Sequence, residues 1–287
     1  MRHLRKHGYL YVARGQQYVE EAIVSANSLR KYVPDAHTTL ITDKGVDTSA
    51  FSDVIVLDVD SLQDRKNLKA FKILGLQQSP YERTFFVDTD TYFADSCEEL
   101  FRLLDNYDLL LTHAPQDNTV IVQNGVPLQG LFPYNSGVMV FRSNEVIQHL
   151  FSDWMHIYRS KFHIYNYDQG PLMEALFVNR VHTYTLHPIY NFRIPFITSL
   201  MAQKVKIFHG RPKNFEAIVR VVNAKAMHRV WLPNRNKVMY KKRRLKYVIK
   251  DFIQDHLPTT LINHTISLKR SLFKVKSSYQ APLESAN

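Results

Sequence analysis

The chain has 287 residues, of which 45% are hydrophobic, and it carries a formal net charge of +11 at pH 7. This length and apolar fraction exclude a globally disordered chain and favour one large domain, with or without an appendage. The single cysteine, Cys97, excludes an intrachain disulfide and favours a reducing compartment. No apolar run is long enough for a membrane-spanning helix or a signal-peptide core. The sequence therefore predicts a cytoplasmic protein, soluble or attached to the inner face of the membrane.

The positive charge is concentrated near the C-terminus. From Arg235 onward, twelve lysines and arginines stand against three acidic residues, a net charge of +9, whereas residues 1–234 carry +2. A nucleic-acid partner is not expected, because the basic excess does not belong to the main part of the chain. We therefore divide the sequence into a domain of residues 1–234 and a basic tail of residues 235–287.

Strands and helices are predicted to alternate through the domain. The predicted strands are residues 8–14, 37–42, 53–58, 84–93, 108–112, 138–141, 181–186 and 206–210. The predicted helices are residues 16–32, 67–78, 96–105, 144–159 and 171–178. This alternation favours an α/β fold whose parallel or mixed sheet is covered by helices on both faces. Residues 115–135 lack clear periodicity and are predicted to form a long loop.

Two carboxylates stand one residue apart in an otherwise apolar, strand-forming stretch, residues 84–93. Asp88 and Asp90 are costly to bury there without a partner. On an extended chain they would point to the same side and could share one Mg²⁺ or Mn²⁺ ion, which leaves coordination positions for phosphate. In an α/β sheet, ligands bind at the carboxyl ends of strands, where these residues are expected. A polar turn between strand and helix is the alternative interpretation.

Five short motifs follow one another along the domain. They are Asp88-Thr89-Asp90, Asn135-Ser136-Gly137, Asp168-Gln169, Tyr190-Asn191 and His209-Gly210. In this order they resemble the GT-A glycosyltransferases of the glycogenin and bacterial lipopolysaccharide galactosyltransferase group, over about residues 8–215. The resemblance implies a GT-A (Rossmann-like) mixed sheet flanked by helices. It also implies a metal-dependent enzyme that moves a sugar, with retention, from a nucleotide diphosphate sugar, most often UDP-linked, to a carbohydrate or lipid-linked acceptor.

The same resemblance implies roles for individual residues. Asp88, Asp90 and His209 would ligate Mn²⁺ or Mg²⁺, which would neutralise charge on the departing diphosphate. Asp168 and Gln169 would be the catalytic residues of the sugar pocket, with Asp168 stabilising positive charge at the anomeric centre or holding donor hydroxyls. The implied nucleotide-sugar-binding residues are Val12, Tyr18, Lys72, Asp88, Thr89, Asn135, Ser136, Gly210 and Arg211.

The segment after His209 departs from the family pattern. The family commonly has a spaced glycine followed by Lys-Pro-Trp, whereas this chain continues directly with Gly210-Arg211-Pro212-Lys213. The phosphate-binding lysine of the family therefore has no matching position. Arg211 or Lys213 could substitute, and the guanidinium fork of arginine suits phosphate.

Several of these residues also have a purely structural interpretation. His209 could be a satisfied core histidine, and Asp168 could be only the N-cap of the following helix. Lys72 could be a solvated helix residue, and Tyr18 could pack in the core. Residues 135–137 could be a turn that leads into a strand.

The basic tail has its own pattern. Within residues 238–254, apolar side chains share one helical face and lysines and arginines crowd the rest. This pattern is typical of an amphipathic helix that binds an anionic membrane surface. A helix docked on the core with a solvated basic face is the alternative. Residues 277–287 are predicted to be disordered.

Two other functional classes stay open beside the transferase. The first is a nucleotidyltransferase that makes activated sugars, but the chain has no convincing Gly-rich phosphate loop near its N-terminus. The second is a non-catalytic GT-A-like binding protein that contacts anionic surfaces through its tail. The cost of burying Asp88, Asp90 and His209 without a cation argues against this second class.

Overall fold

The structure is a computed structural model of the chain, and it describes residues 4–43, 49–57, 65–115, 121–161, 163–165 and 167–240. The side chains of residues 65–68 are not described either. Residues Met1–Tyr240 form one compact unit. Within the described ranges, no helix is both long and apolar enough to cross a membrane.

Strands and helices alternate through most of the described chain. The strands are β1 (Arg5–Val12), β2 (Thr38–Thr42), β3 (Asp53–Val56), β4 (Tyr81–Val87), β5 (Thr91–Phe93), β6 (Leu109–His113), β7 (Ile121–Gln123), β8 (Val126–Leu128), β9 (Tyr134–Arg142), β10 (Thr183–Thr185), β11 (Phe192–Arg193), β12 (Thr198–Leu200), β13 (Ile207–His209), β14 (Arg229–Leu232) and β15 (Lys237–Tyr240). The helices are α1 (Gln16–Arg30), α2 (Arg65–Gln77), α3 (Leu100–Leu103), α4 (Glu145–Ser160), α5 (Gln169–Val178) and α6 (Phe215–Val222).

The main sheet has seven strands in the order β10-β6-β9-β4-β1-β2-β3. Strand β9 is antiparallel to both of its neighbours, and every other pair in this sheet is parallel. Helices cover both faces, so the predicted mixed α/β sheet is confirmed. Parallel strands that are covered on both faces are buried along their length, which explains the nearly continuous apolar runs in the sequence.

Successive residues of the central strands contribute to opposite layers of the core. In β1, Tyr9 and Tyr11 pack in the cluster that contains the buried face of α1. Leu10, between them, packs in the cluster that contains α2, α4 and α5. This alternation follows from the two-residue repeat of an extended chain. The carboxyl ends of β1 and β4 are thereby fixed between two helical layers.

Two smaller sheets extend the domain. The second sheet has the order β11-β13-β5, and the third has the order β12-β14-β15. Apolar residues from both sheets and from α6 share a third core cluster, which includes Phe192, Phe208 and Trp231. The Trp231 indole Nε1 donates to the carbonyl oxygen of Ile194 at 2.7 Å. This cluster supports the strand that ends at His209.

The strand predicted over residues 84–93 is interrupted. Strand β4 ends at Val87, residues 88–90 form a turn, and β5 belongs to a different sheet. The Thr91 hydroxyl donates to the carbonyl oxygen of Asp88 at 2.8 Å and closes the turn. The two aspartates therefore lie in a turn, and strand alternation does not explain their arrangement.

The prediction of a long loop over residues 115–135 is wrong for its described part. Strands β7 and β8 form an antiparallel hairpin. Asn124 and Gly125 at its tip have φ values of 51° and 80°, as a tight hairpin turn requires. Strand β9 begins at Tyr134, so residues 135–137 lie inside a strand, which excludes the alternative of a turn.

The helix predicted over residues 96–105 is short. Only α3, Leu100–Leu103, is α-helical. Before it, the Asp95 carboxylate accepts from the backbone N–H of Ser96, and the Ser96 hydroxyl accepts from that of Glu98. These local side-chain bonds compete with a helical turn. Cys97 precedes the helix and is buried, consistent with the packing role expected for it.

The chain after His209 differs most from prediction. Strand β13 lies in the second sheet, and α6, β14 and β15 follow it. The helix predicted from residue 238 is wrong for residues 238–240, because they form β15, where Val238 is buried in the third core cluster. Strands β14 and β15 pair across the predicted boundary at residue 234. Residues 241–254 of the predicted amphipathic helix lie outside the described residues.

Candidate functional site

Three candidate metal ligands converge beside the carboxyl end of β4. Asp88 and Asp90 lie in the turn after this strand, and His209 is the last residue of β13. His209 Nε2 lies 3.8 Å from Oδ2 of Asp88 and 3.2 Å from Oδ1 of Asp90. One ligand atom from each residue lies within 4.8 Å of the others. The predicted convergence of the Asp-X-Asp motif with a distant histidine is confirmed.

Backbone contacts hold the three residues in place. Strand β13 pairs antiparallel with β5, which puts His209 opposite Thr91. The backbone N–H of Gly210 then donates to the carbonyl oxygen of Asp90 at 2.9 Å. Gly210 has a φ of +142°, which strongly favours glycine. Gly210, predicted to bind the donor, thus has a described role in fixing the turn that carries Asp90.

Strand β9 passes very close to the ligands at Gly137. A Cβ atom at this position would lie 2.1 Å from Cε1 of His209 and 2.8 Å from Oδ2 of Asp88. Any other residue would therefore displace the imidazole or the carboxylate. The side chains of His209 and Asp88 can approach each other here only because residue 137 is a glycine.

Two asparagines orient the imidazole. The backbone N–H of Gly137 donates to Oδ1 of Asn135 at 3.0 Å, and Nδ2 of Asn191 donates to the same oxygen at 2.8 Å. Asn191 Oδ1 therefore faces Nδ1 of His209, at 2.8 Å. Because an amide oxygen can only accept, Nδ1 carries the proton and Nε2 turns its lone pair towards the carboxylates. Two carboxylates and an imidazole lone pair fit Mn²⁺ or Mg²⁺.

The charge states of the ligands suit a cation. Burial and the nearby charge of Arg193 lower the pKa of His209 despite the neighbouring carboxylates, which keeps the ring neutral. Burial opposes ionisation of Asp90. The charges of Arg211 and Arg193 favour the ionised form, and the pKa of Asp90 lies below its ordinary value.

A buried lysine links Asp88 to Asp168. Lys72 Nζ lies 2.9 Å from Oδ1 of Asp88 and 3.4 Å from Oδ2 of Asp168, and it donates to the Ser136 hydroxyl at 3.1 Å. Ser136 in turn donates to Oδ2 of Asp168 at 2.7 Å. Burial alone would lower the pKa of Lys72, but the two carboxylates raise it above its ordinary value. The interpretation of Lys72 as a solvated helix residue is therefore wrong.

Asp168 does not cap α5 with its side chain. It occupies the N-cap position, but its backbone is helical and it makes no capping hydrogen bond. Its carboxylate faces Lys72 and also lies 3.8 Å from Nζ of Lys69. Burial would raise the pKa of Asp168, but these two lysines hold it well below its ordinary value. A buried, ionised carboxylate thus lies next to the metal-ligand cluster.

Arg211 holds the opposite side of the cluster. Its NH1 lies 3.0 Å from Oδ2 of Asp90, and its Nε and NH2 donate to the two carboxylate oxygens of Glu21 at 2.6 and 2.9 Å. The Thr89 hydroxyl also donates to Glu21, at 2.9 Å. The hydrogen bond to Glu21 raises the pKa of Arg211. The guanidinium carbon lies 6.0 Å from the centre of the half-buried Tyr18 ring, which borders the first core cluster.

A third basic side chain, Arg193, enters the cluster from β11. In the parallel pair of β11 and β13, Arg193 is opposite His209. Its NH1 lies 3.5 Å from Nδ1 and 3.3 Å from Nε2 of this histidine. Its Nε is buried, and no described residue forms a hydrogen bond with it. Burial lowers the pKa of Arg193, and the nearby Asp88 and Asp90 oppose that shift.

Two predicted ligand residues have less specific surroundings. Val12 ends β1 and packs against α2, where a Cβ at Gly75 would lie 2.6 Å from its Cγ2. Gln169 begins α5, directly after Asp168. The predicted contacts of Val12 with the base and of Gln169 with the sugar stay predictions.

The predicted site residues omitted Glu21, Asn191 and Arg193. Glu21 follows Tyr18 by three residues, which places both on one face of α1. Asn191 belongs to one of the five motifs but was given no role of its own. Arg193 stands between Phe192 and Ile194, and a charge in an apolar stretch is a signal for a buried partner.

Solved structures with a similar fold include glycosyltransferases. The apo form of mouse xyloside xylosyltransferase 1 matches 72% of this chain and 98% of its own, with a TM-score of 0.50 and 15% identity. An active-site mutant of LgtC matches 80% of this chain and 93% of its own, with a TM-score of 0.52 and 14% identity. The bifunctional glycosyltransferase WbbM, also in its apo form, matches 73% of this chain and 46% of its own, with a TM-score of 0.51 and 12% identity.

At such low sequence identities, the structural similarity establishes the fold alone. It is the GT-A fold that the resemblance implied. No protein-family model matches the sequence, and no curated protein is detectably similar to it.

Proposed function

We propose that this protein is a metal-dependent glycosyltransferase. It would move a sugar from a nucleotide diphosphate sugar, with UDP as the nucleotide, to a carbohydrate or lipid-linked acceptor, with retention of the anomeric configuration. One observation carries the proposal: Asp88, Asp90 and His209 meet within 4.8 Å beside the end of β4 in a GT-A fold. The glycosyltransferase structures that share this fold support it.

The metal site would be formed by the two carboxylates and the Nε2 atom of His209. A bound Mn²⁺ or Mg²⁺ would supply positive charge next to the diphosphate of the donor. Asn191 holds the imidazole in the tautomer that can ligate. Gly137 leaves the space in which the three ligand groups meet.

The basic residues around the cluster would bind the diphosphate. Arg211 is half-exposed, with 55% of its side chain accessible, and its guanidinium contacts a metal-ligand carboxylate. It is therefore placed to donate to phosphate oxygens. This supports Arg211 as the substitute for the phosphate-binding lysine, and its proximity to Tyr18 supports the predicted base contact on the same side.

Asp168 would act on the sugar. Its carboxylate is 3% exposed, ionised and fixed by Ser136 and Lys72. Glycosyl transfer develops positive charge at the anomeric carbon, which a fixed carboxylate stabilises. Because Lys72 contacts both Asp88 and Asp168, it couples the diphosphate end of the site to the sugar end. Asn135 would contribute a hydrogen bond to a sugar hydroxyl.

The decisive experiment is turnover of a panel of nucleotide sugars with Mn²⁺, scored as release of the nucleoside diphosphate. We expect turnover of a UDP-sugar that is abolished by a chelator and falls by at least about a hundredfold in Asp90→Asn. A parallel reaction with a sugar 1-phosphate and a nucleoside triphosphate tests the nucleotidyltransferase alternative. Lack of turnover and binding across the panel, or a variant equal to the parent, would refute the transferase.

Membrane attachment is a separate proposal, and residues 241–287 of the tail that carries it lie outside the described residues. Its support is the net charge of +9 from Arg235 onward. Each basic residue near an anionic surface contributes roughly 1 kcal/mol. We expect the full chain to sediment with vesicles that contain anionic lipid, but not with neutral vesicles, and to be released by salt. Replacing Lys241, Lys242, Arg243 and Arg244 with glutamine should abolish this binding, and equal binding to neutral vesicles would contradict the electrostatic mechanism.

A further inference from the structure

Arg193 lies against the face of the histidine that would ligate a metal ion. Its NH1 is 3.3 Å from Nε2 of His209. The same Nε2 lies 3.2 Å from Oδ1 of Asp90 and 3.8 Å from Oδ2 of Asp88. Because Asn191 holds the proton on Nδ1 of His209, Nε2 presents a lone pair. This lone pair and the carboxylates of Asp88 and Asp90 face one another. A positive charge is favourable there, and the Arg193 guanidinium lies beside the lone pair.

Arg193 is less firmly held than the other two basic residues of the site. Lys72 contacts Asp168 and Ser136 as well as Asp88. Arg211 is bound by both carboxylate oxygens of Glu21. By contrast, Arg193 Nε is buried without a hydrogen-bond partner among the described residues. Because Nδ1 of His209 carries the proton, the guanidinium can donate to this ring only at Nε2, at 3.3 Å.

The surroundings of Arg193 allow it to move. Its guanidinium carbon lies 5.6 Å from the centre of the Phe196 ring, a face on which it can pivot. An arginine with an unsatisfied Nε gains a hydrogen bond if it turns towards an acceptor such as a phosphate oxygen. A divalent ion at Asp88 and Asp90 would repel it from its present position.

We propose that Arg193 is an internal counter-ion that lies against the metal-binding side of His209 in the absence of the donor and turns to the donor diphosphate when the ion enters. This inference rests on the proposed metal site. Its consequence is coupling: the ion alone must displace a guanidinium, whereas the ion together with a nucleoside diphosphate gives that guanidinium a new partner. Metal and nucleotide would therefore bind cooperatively, and each would raise the affinity for the other by the same factor.

The test measures Mn²⁺ affinity by calorimetry, without and with saturating UDP, in the full-length protein. Arg193→Met keeps the length of the side chain and removes its charge. We expect it to bind Mn²⁺ about tenfold more tightly than the parent without nucleotide, a typical size for such coupling. The factor by which UDP strengthens Mn²⁺ binding should fall by about the same amount. Arg193→Lys, which keeps the charge, should stay close to the parent.

The matched control is Arg220→Met, because Arg220 is an exposed arginine on α6 and the substitution removes the same charge. It should leave both Mn²⁺ affinities unchanged. Circular dichroism melting curves should show that Arg193→Met and Arg193→Lys are folded before binding is compared.

The outcomes separate this inference from the proposed function. If the parent binds Mn²⁺ and Arg193→Met binds it equally or more weakly without UDP, or shows the same coupling factor, the inference is overturned while the metal site stands. If neither protein binds Mn²⁺ even with UDP, the proposed metal site fails and the inference fails with it. Tighter binding in Arg193→Met and Arg220→Met alike would show a general charge effect and also overturn it.

Discussion

The two sides of the candidate site use the same kind of contact in different solvent environments. We define the inner arm as Lys72, Ser136 and Asp168, which are 7%, 2% and 3% exposed. The outer arm is Glu21, Thr89 and Arg211, where the arginine side chain is 55% exposed and the glutamate side chain 20%. Both arms join a basic side chain to a carboxylate of the Asp-X-Asp turn.

The two arms differ in whether their charged side chains can exchange one ion-pair partner for another. A buried charge cannot lose its partner without a large penalty, so the inner arm keeps one arrangement. An exposed ion pair contributes little and can trade its partner for water or phosphate. The inner arm is thus suited to hold the reacting end of a donor, and the outer arm to accept and release the nucleotide end.

The largest expected effect comes from removing the charge of the inner-arm carboxylate. Asp168→Asn preserves shape but removes the fixed negative charge, so we expect the rate of sugar transfer to fall by about 10²–10³. UDP binding should change by less than about threefold, because Asp168 is proposed to act on the sugar and none of the contacts proposed for UDP involves it. Steady-state kinetics and UDP titration measure the two effects. Asp105→Asn, at an exposed carboxylate paired with Arg83, is the control and should leave both unchanged.

The second prediction compares two lysines on one carboxylate. Lys72→Met leaves Asp88 and Asp168 without their shared buried partner, and we expect it to destabilise the fold by about 3 kcal/mol. Lys69 lies 3.8 Å from the same carboxylate but is 40% exposed, so Lys69→Met should cost at most about 1 kcal/mol. Urea unfolding measures both. Equal costs would show that burial does not distinguish the two contacts.

The third prediction concerns the guanidinium of the outer arm. Arg211→Ala should weaken UDP binding by roughly tenfold, the value of one charge-assisted contact. It should change the free energy of unfolding by less than about 1 kcal/mol. Lys213→Ala is the control, since Lys213 is the other candidate for the missing phosphate-binding lysine. If Lys213→Ala shows the larger loss in a UDP titration, the assignment of the phosphate contact to Arg211 is wrong.

The smallest expected effect comes from the residue that positions Arg211. Glu21→Gln keeps the size of the side chain but weakens its two charge-assisted bonds to the guanidinium. We expect KM for the donor to rise by roughly threefold and kcat to stay unchanged, because the substitution affects positioning in the ground state. Glu20→Gln changes the neighbouring exposed carboxylate of α1 and should leave both KM and kcat unchanged. A fall in kcat with unchanged KM would place Glu21 in the chemical step instead.

The inner arm was more accessible to sequence reasoning than the outer arm. Asp88, Asp90 and Asp168 lie at the ends of strongly periodic elements, Lys72 lies within a predicted helix, and the order of motifs suggested that they meet. Glu21 was missed because its partner is 190 positions away. That contact depends on how α1 packs on the turn, where the Ser25 hydroxyl lies 2.7 Å from that of Thr91.

The second sheet shows why some placements could not be derived from local sequence patterns. Arg193 reaches His209 only because β11 and β13 pair in one register, and short strands carry little information about register. The hairpin tip at Asn124-Gly125 is a different case. Its dipeptide is a strong local turn signal, and it could have been predicted from the residues alone.

The position of His209 also has a consequence for the durability of the protein. Asp88 and Asp90 follow a strand of the main sheet, whereas His209 ends a strand of the second sheet. An ion bound by all three residues would link the main sheet to the second sheet. Since anything that binds only the native form raises its melting temperature, thermal denaturation should shift upwards as Mn²⁺ is added. Removal of the ion by a chelator would then loosen the second sheet, which carries His209, first.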